Sequence, residues 1–300
     1  MTANQEIVVA VVSHKPYRMP ADSVYMPLHV GAALHPDVLS DWVQDNEGEN
    51  ISDRNGKYSE LTGLYWLWKN CDADYIGLVH YRRHFATRSW LGRRARDRFD
   101  RIIGGEELAQ VLQKADVVVP NHRNYVIETV RSHYEHTLPA EHLDVTRDVI
   151  QERCPQYLAT FDKVMGGTKA HMFNMFIMRR DLLADYCAWL FPILFELEQC
   201  TDDSAYDAFN LRYPGRVSEM LLDVWLSEQL QQGVRMVELP VVSPEPVDWP
   251  AKIVGFLNAK FRGKKYGKSF LKYDDLCCLT YIVSFSDAFW TLCPRDSFSM

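Results

Sequence analysis

The chain has 300 residues, 47% of them hydrophobic, which is long enough to bury one large α/β core or a core with an appendage. Its net charge of −7 argues against binding of nucleic acid by the whole surface. The seven cysteines are unevenly spaced and include no C-x-x-C pair, which argues against a zinc ribbon or a disulfide framework and favours a reducing cytoplasm.

The first predicted element is a strand over Ile7–Val12, a β-branched run typical of a strand buried on both faces of a parallel sheet. The polar loop S-H-K-P-Y-R-M-P follows, and Pro16 prevents a helix there. Nucleotide-binding folds place base or phosphate contacts after such a strand, so His14, Lys15 and Tyr17 are candidate ligand contacts. No G-x-G-x-x-G motif follows, so a dinucleotide fingerprint is absent.

The most informative stretch combines a helix, a buried strand and a charged strand end. A polar segment over 35–57 leads into a helix that ends near Asn70, and a strand is predicted over Tyr75–Val79. The strand ends in a cationic tip: His80, Arg82 and Arg83. Guanidinium forks match phosphate oxygens, and ligands of open α/β sheets bind beyond the strand ends. The tip therefore predicts a nucleotide diphosphate site, the alternative being an arginine pair on a solvated loop.

Histidine, tyrosine and arginine are concentrated after a second predicted strand, Ala115–Pro120. Four histidines fall within or near this segment: His122, His133, His136 and His142. Metal ligation by such a group is conceivable, but the spacing matches no motif such as H-E-x-x-H. The pattern therefore favours hydrogen bonds to a sugar, or a polar loop.

The second half of the chain alternates predicted helices with two predicted strands. The helices cover Leu143–Cys154, Pro155–Met165, Asp181–Cys200 and Arg216–Leu230, and the strands Met172–Met178 and Val234–Val242. A buried Asn174 must be hydrogen-bonded, so it either pins a turn or faces a ligand. Glu219 and Asp223 are four residues apart and share one helical face, which is either solvated or part of a cleft.

The end of the chain differs in composition. Residues 252–272 contain seven basic and no acidic residues, interleaved with aromatic ones, which is typical of a segment attracted to anionic lipid. The N-terminus lacks signal-peptide features, and no apolar run is long enough to cross a bilayer. We expect a main domain over 1–250, a basic and aromatic helical appendage over 251–300, and a cytoplasmic protein that contacts the inner face of the plasma membrane.

Five motifs, in order within roughly residues 5–250, resemble one bacterial family long described only as a domain of unknown function. They are V-V-S-H-K-P-Y-R-M-P, G-E-N-I-S-D-R-N-G-K-Y-S-E-L-T-G-L-Y-W-L-W-K-N, Y-I-G-L-V-H-Y-R-R-H-F, R-N-Y-V-I-E-T-V-R-S-H-Y and H-M-F-N-M-F-I-M. The family occurs in capsule, exopolysaccharide and O-antigen clusters and contains galactofuranosyltransferases. The resemblance implies an inverting transferase that moves a hexosyl group, most of all galactofuranosyl, from a UDP-sugar to a lipid-linked glycan.

The layout is also similar to that of GT-A-type nucleotide-sugar transferases, which implies a Rossmann-type mixed sheet flanked by helices. In those enzymes the corresponding strand ends in an Asp-x-Asp motif that holds a divalent metal on the diphosphate, whereas here it ends in His80-Tyr81-Arg82. We therefore predict no metal ligands and no cofactor, and leave open whether the activity depends on a divalent metal. Arg82 and Arg83, assisted by Lys15, would replace the metal as a clamp on the leaving UDP.

We assign hypothetical roles to the remaining candidates on this basis. Uracil, ribose and diphosphate contacts are expected from His14, Lys15, Tyr17, Asn50, Asp53, Asn55, His80, Arg82 and Arg83. Acceptor or sugar contacts are expected from Arg123, Tyr125, Glu128, His133 and Asn174. The catalytic base is sought among Glu219, Asp223, His171 and Glu128, with Glu219 favoured by analogy.

Three rival functions stay open at this point. The first is a non-catalytic carbohydrate-binding or scaffold module of a polysaccharide assembly complex. The second is nucleic-acid binding through the basic residues of 82–101 and 252–272, which we expect to be weak and steeply salt-dependent. The third is a pyranosyl transferase of the same fold. Association into a homo-oligomer is left open as well.

Overall fold

The computed structural model describes residues 5–244. The predicted appendage over 251–300, with its basic segment 252–272, lies outside the described residues, so its predicted roles stay predictions. Across residues 5–244, every helix falls short of the length and apolarity that a membrane crossing needs.

Strands and helices alternate along most of the described chain. The strands are β1 (Ile7–Ser13), β2 (Tyr25–His29), β3 (Val43–Gln44), β4 (Tyr75–His80), β5 (His84–Phe85), β6 (Val117–Pro120), β7 (Arg123–Asn124), β8 (Lys169–Ala170), β9 (Phe176–Arg179), β10 (Met236–Leu239) and β11 (Val241–Val242). The α-helices are α1 (Asn55–Tyr58), α2 (Leu61–Asn70), α3 (Gly105–Leu112), α4 (Val130–Glu135), α5 (Glu141–Arg153), α6 (Leu158–Gly166), α7 (Arg180–Cys200) and α8 (Tyr213–Gln231). Short 3-10 helices occur at Ser52–Arg54, Gly92–Arg94, Phe99–Arg101, Pro155–Tyr157 and Asn210–Arg212.

The central sheet has the strand order β10-β6-β9-β4-β1-β2-β3. β1 is parallel to β2 and β4, β6 is parallel to β10, and β9 is antiparallel to both β4 and β6. The carboxyl ends of β1, β4, β6 and β10 and the amino end of β9 therefore lie at one edge. We call this the ligand edge, since open α/β sheets bind ligands there.

Packed side chains cover both faces of the sheet. Along β1, Ala10 and Val12 pack in a core shared with α2, α7 and α8. Val9 and Val11 point the other way and pack in a second core with Leu108 of α3. This confirms that the β-branched run forms a strand buried on both faces, and it confirms the predicted mixed α/β sheet flanked by helices.

Two predicted strands differ from the structure at the ligand edge. The predicted strand over Met172–Met178 begins only at Phe176, because the preceding residues form a turn. The predicted strand over Val234–Val242 is divided at Pro240, with β10 in the central sheet and β11 paired with β5. Proline has no N–H to donate to a neighbouring strand, which explains the division at this point.

Candidate active site

The carboxyl ends of β1 and β4 bring cationic and aromatic side chains around Tyr81. Nζ of Lys15 and Cζ of Arg82 lie 5.1 and 4.9 Å from the centre of the Tyr81 ring. The rings of His14 and Tyr17 meet the same ring nearly edge-on, with centres 5.9 and 5.6 Å away. Such contacts orient the side chains of two neighbouring loops around one buried ring. Four residues predicted to contact the donor are thus close together.

A second group of cations lies on Phe173, next to the start of β9. Cζ of Arg83 is 4.1 Å and Cζ of Arg123 is 5.6 Å from the centre of the Phe173 ring. Burial, followed by repulsion from Arg123, lowers the pKa of Arg83 to about 10. The guanidinium therefore stays charged at neutral pH, and an anion bound beside it would relieve the repulsion between the two cations.

The turn that presents Phe173 has a strained backbone. Phe173 and Asn174 have φ angles of 85° and 47°, in the left-handed region that non-glycine residues seldom adopt. Nε2 of His80 donates a 2.6 Å hydrogen bond to the carbonyl of Phe173. Nδ2 of Asn174 donates to Oε1 of Glu60 at 2.7 Å and to the carbonyl of Gly215 at 2.9 Å. Asn174 thus pins the turn, and its predicted contact with a sugar stays a prediction.

Helix α8 brings the carboxyl group of Glu219 into the same region. Glu219 is 2% exposed, so the alternative of a solvated helical face does not apply to it. Burial and then the charge of Glu60 raise the pKa of Glu219 to about 8. The backbone N–H of Phe173 and the guanidiniums of Arg216 and Arg83 act in the opposite direction. With this pKa the carboxyl group is mostly protonated at neutral pH, and its ionised fraction, which grows as pH rises towards 8, can accept a proton.

Glu219 also lines a pocket between α4 and α8. Arg216, Met172, Tyr125 and His133 form part of its wall. The rings of Tyr125 and His133 stack with their centres 4.2 Å apart, and burial raises the pKa of Tyr125 to about 12. Apolar surface with a few polar groups is the usual lining of a small-molecule site.

At the ends of β6 and β10, imidazoles and carboxylates form a network. The backbone N–H and Nδ1 of His171 donate to the two carboxylate oxygens of Asp223, at 2.8 and 2.5 Å. Nε2 of His171 and Nδ1 of His122 lie 3.2 and 3.1 Å from Oε1 of Glu238. Although burial lowers the pKa of His171, the hydrogen bond and charge of Asp223 raise it above its usual value. Two of the predicted base candidates, His171 and Asp223, are therefore in direct contact.

The loop predicted to contact uracil and ribose is held by its own hydrogen bonds. Nδ2 of Asn50 donates to the carbonyls of Asn46 and Gly48, at 3.0 and 2.8 Å. Nδ2 of Asn55 donates to the carbonyl of Ser59 at 2.7 Å. Asp53 is exposed. Because ligand contacts would compete with these bonds, the roles of Asn50 and Asn55 stay predictions.

The four histidines considered together as a metal group do not come together in the structure: His122 lies beside His171, His142 lies in the core, and His133 and His136 contact Glu128. Nδ1 and Nε2 of His142 lie 2.8 and 3.0 Å from the hydroxyls of Tyr134 and Tyr206. Burial lowers the pKa of His142 to about 4, so it serves as a neutral core residue. His133 instead contacts Glu128, with Nδ1 3.0 Å from Oε2.

Sequence reasoning did not single out Glu60, Phe173, Arg216 and Glu238. Glu60 and Arg216 precede or begin helices, where charged residues are common. Phe173 lies within an apolar run that resembled a strand interior, and Glu238 is the one acid in the predicted last strand. Of these four residues only Glu238 carried a signal in the sequence, because an acidic residue is unusual within a short apolar strand.

The strand order, the flanking helices and the polar ligand edge define a GT-A-like α/β protein, as predicted. A similar solved structure is that of the WbbM bifunctional glycosyltransferase in its apo form, with a TM-score of 0.71 and 27% sequence identity. The similarity covers 79% of this chain and 45% of that protein, so the chain spans less than half of its length.

The chain belongs to the family described as Domain of unknown function (DUF4422), which it matches over residues 8–231. The match runs from β1 to the end of α8 and includes every side chain of the candidate site except Glu238. A search of curated proteins found no match.

Proposed function

We propose that the protein is a glycosyltransferase that takes a hexosyl group, galactofuranosyl above all, from a UDP-sugar. The acceptor would be a lipid-linked glycan in the synthesis of a bacterial surface polysaccharide. The similarity to a bifunctional glycosyltransferase supports the reaction class. The observation that carries the proposal is the gathering of cationic side chains at the ligand edge, close to one buried carboxyl group.

The donor diphosphate would bind between the ends of β1 and β4. Lys15 and Arg82 lie on the ring of Tyr81, and Arg83 lies on that of Phe173, so their charges are oriented before a ligand arrives. Fixed positive charge stabilises the negative charge that develops on a leaving phosphate. In this proposal the side chains supply the charge that a divalent metal supplies in enzymes with an Asp-x-Asp motif.

Glu219 is the proposed base for the acceptor hydroxyl. It lines the pocket beside Arg216, and burial raises its pKa to about 8, a value suited to proton transfer near neutral pH. His171 is a weaker candidate because carboxylates at both ring nitrogens, those of Asp223 and Glu238, favour its protonated form. Glu128 already contacts His133.

The acceptor would enter the pocket lined by Glu219. The stacked rings of Tyr125 and His133 offer a flat surface for a sugar face, and Arg216 offers hydrogen bonds to hydroxyls. In this proposal the base and the donor cations would act on the sugar carbon from two sides. This arrangement would permit inversion by direct attack of the hydroxyl.

A panel of sugar nucleotides tests the proposal. We expect UDP-galactofuranose and UDP to raise the melting temperature of the full chain, since both bind the native state. We expect UDP release when a glycan acceptor is added. Release from UDP-galactopyranose instead would indicate a pyranosyl transferase, and binding without any release across donors and acceptors would contradict the proposed activity.

A further inference from the structure

Two histidines and one glutamate converge at the far side of the ligand edge. One ring nitrogen each of His122 and His171 and one carboxylate oxygen of Glu238 all lie within 4.8 Å of one another. No other such group occurs within residues 5–244. We propose that these three side chains, which we call the His-His-Glu site, bind a divalent transition metal of the zinc class.

The sheet brings these residues together although they are distant in sequence. Glu238 lies in β10 opposite Val119 of β6. The N–H of Asn121 donates a 2.9 Å hydrogen bond to the carbonyl of Leu239. This bond continues the pairing of β6 with β10 by one residue beyond β6, and His122 is the next residue in the chain. His171 directly follows β8, and its position is fixed from another direction by α8.

The spacing of the donor atoms fits a tetrahedral ion. Zinc binds imidazole nitrogen and carboxylate oxygen at about 2.0–2.2 Å, which places neighbouring ligand atoms roughly 3.3–3.5 Å apart. Oε1 of Glu238 lies 3.1 Å from Nδ1 of His122 and 3.2 Å from Nε2 of His171. The two histidine nitrogens lie within 4.8 Å of each other, so they would approach by at most about 1.5 Å for all three atoms to share one ion.

Asp223 supplies the outer contact that metal-binding histidines usually have. It accepts hydrogen bonds from both Nδ1 and the backbone N–H of His171. This bond fixes the ring orientation and leaves Nε2 directed at Glu238, the arrangement found in carboxylate–histidine–zinc sites. The ring is therefore oriented as a ligand would be before any metal binds, and the metal would displace the proton that the neighbouring carboxylates favour on Nε2.

The donor set defines the kind of ion and leaves room for more ligands. Two imidazoles and one carboxylate suit zinc, cobalt or nickel better than magnesium or calcium, which prefer all-oxygen sites. The side chains of His122 and Glu238 are 38% and 32% exposed, so solvent can reach the ion and complete its coordination. A site with open positions can bind a water molecule or a hydroxyl of a ligand.

The His-His-Glu site is distinct from the proposed diphosphate clamp. Its strands, β6 and β10, are separated from β4 by β9 in the sheet order. The inference goes beyond the proposed transfer reaction and rests on the arrangement of these side chains alone. Metal binding can therefore be measured without any sugar nucleotide.

Cobalt titration of the full chain tests the site. The chain is first stripped of bound metal with a chelator, which is then removed by dialysis. We expect one cobalt ion per chain, with the visible absorption of tetrahedral cobalt, and its displacement by zinc. His122→Ala and Glu238→Gln should each weaken binding at least about tenfold, and Asp223→Asn by roughly 10–100-fold through the outer contact. His136→Ala, which removes a histidine that faces Glu128 instead, is the matched control and should bind like the wild type.

Three results would overturn the inference. The first is that the wild type binds no stoichiometric cobalt. The second is that His122→Ala binds cobalt as tightly as the wild type. The third is an intense thiolate-to-cobalt absorption band, which would assign the ion to cysteines. Circular dichroism and melting temperature check that each variant is folded. Glu238→Gln keeps the shape of the side chain, and His136 is largely exposed, so neither substitution should unfold the chain. Failure here leaves UDP binding and UDP release unaffected, so it is distinguishable from failure of the proposed function.

Discussion

The two halves of the ligand edge differ in how their charges are balanced. At β1 and β4, cations from Lys15, Arg82 and Arg83 rest on aromatic rings. At β6 and β10, each imidazole of His122 and His171 contacts a carboxylate. In our proposals the first half receives an anion, whereas the second half receives a cation. One sheet edge can therefore carry two kinds of site, and each prediction below perturbs one half.

The largest effect is expected from Glu219→Gln, which removes the proposed base while keeping the shape of the side chain. Loss of a general base lowers turnover by about 10²–10⁴-fold. We expect UDP release to fall by that factor while calorimetry shows UDP affinity within about threefold of the wild type. Glu152→Gln, on the exposed face of α5, is the matched control. Near-normal turnover in Glu219→Gln would remove Glu219 from the role.

A smaller loss is expected from Lys15→Met, which removes one cation from the Tyr81 ring. A hydrogen bond to a charged group contributes about 1.5–3 kcal/mol, so UDP should bind roughly 10–100-fold more weakly. Lys114→Met is the control, because Lys114 is exposed and precedes β6 at the opposite edge. Equal affinities in a calorimetric titration of the two variants would exclude Lys15 from the clamp.

The pKa of Glu219 also predicts a change in the pH dependence of stability. The folded chain keeps this proton up to about pH 8, whereas an ordinary glutamate carboxyl, with a pKa of 4.5, releases it much earlier. Between these values the folded state binds more protons, so the free energy of unfolding falls as pH rises. Glu219→Gln should remove this slope. The melting temperature of the variant minus that of the wild type should therefore increase by several degrees between about pH 5 and about pH 9. A constant difference across that range would mean that the carboxyl group is already ionised in the folded protein.

The smallest effect is expected from a chelator. If side chains alone hold the diphosphate, EDTA should change the affinity for UDP by less than about twofold, because no ion bridges ligand and protein. A large loss that manganese or magnesium restores would contradict the clamp. Repeating the titration with His122→Ala then shows whether the ion responsible occupies the His-His-Glu site.

The two halves also differ in how far the sequence predicted them. A β-branched run and an adjacent arginine pair indicated β1, β4 and the cationic tip, because both signals are local. His171, Asp223 and Glu238 meet only through the packing of β8, α8 and β10, and spacing along the chain carries no such information. The left-handed turn at Phe173 was hidden for a similar reason: contacts from His80 and Glu60 impose it on an apolar sequence.

The most direct test of the cationic clamp compares the binding of UDP with that of uridine by calorimetry. The account predicts that the wild type prefers UDP by at least about a hundredfold, since two charge-assisted contacts are each worth about 1.5–3 kcal/mol. The double variant Arg82→Gln/Arg83→Gln should lose most of this preference, while Arg93→Gln/Arg94→Gln, in an exposed 3-10 helix, should retain it. An unchanged preference in the folded Arg82→Gln/Arg83→Gln variant would contradict the account.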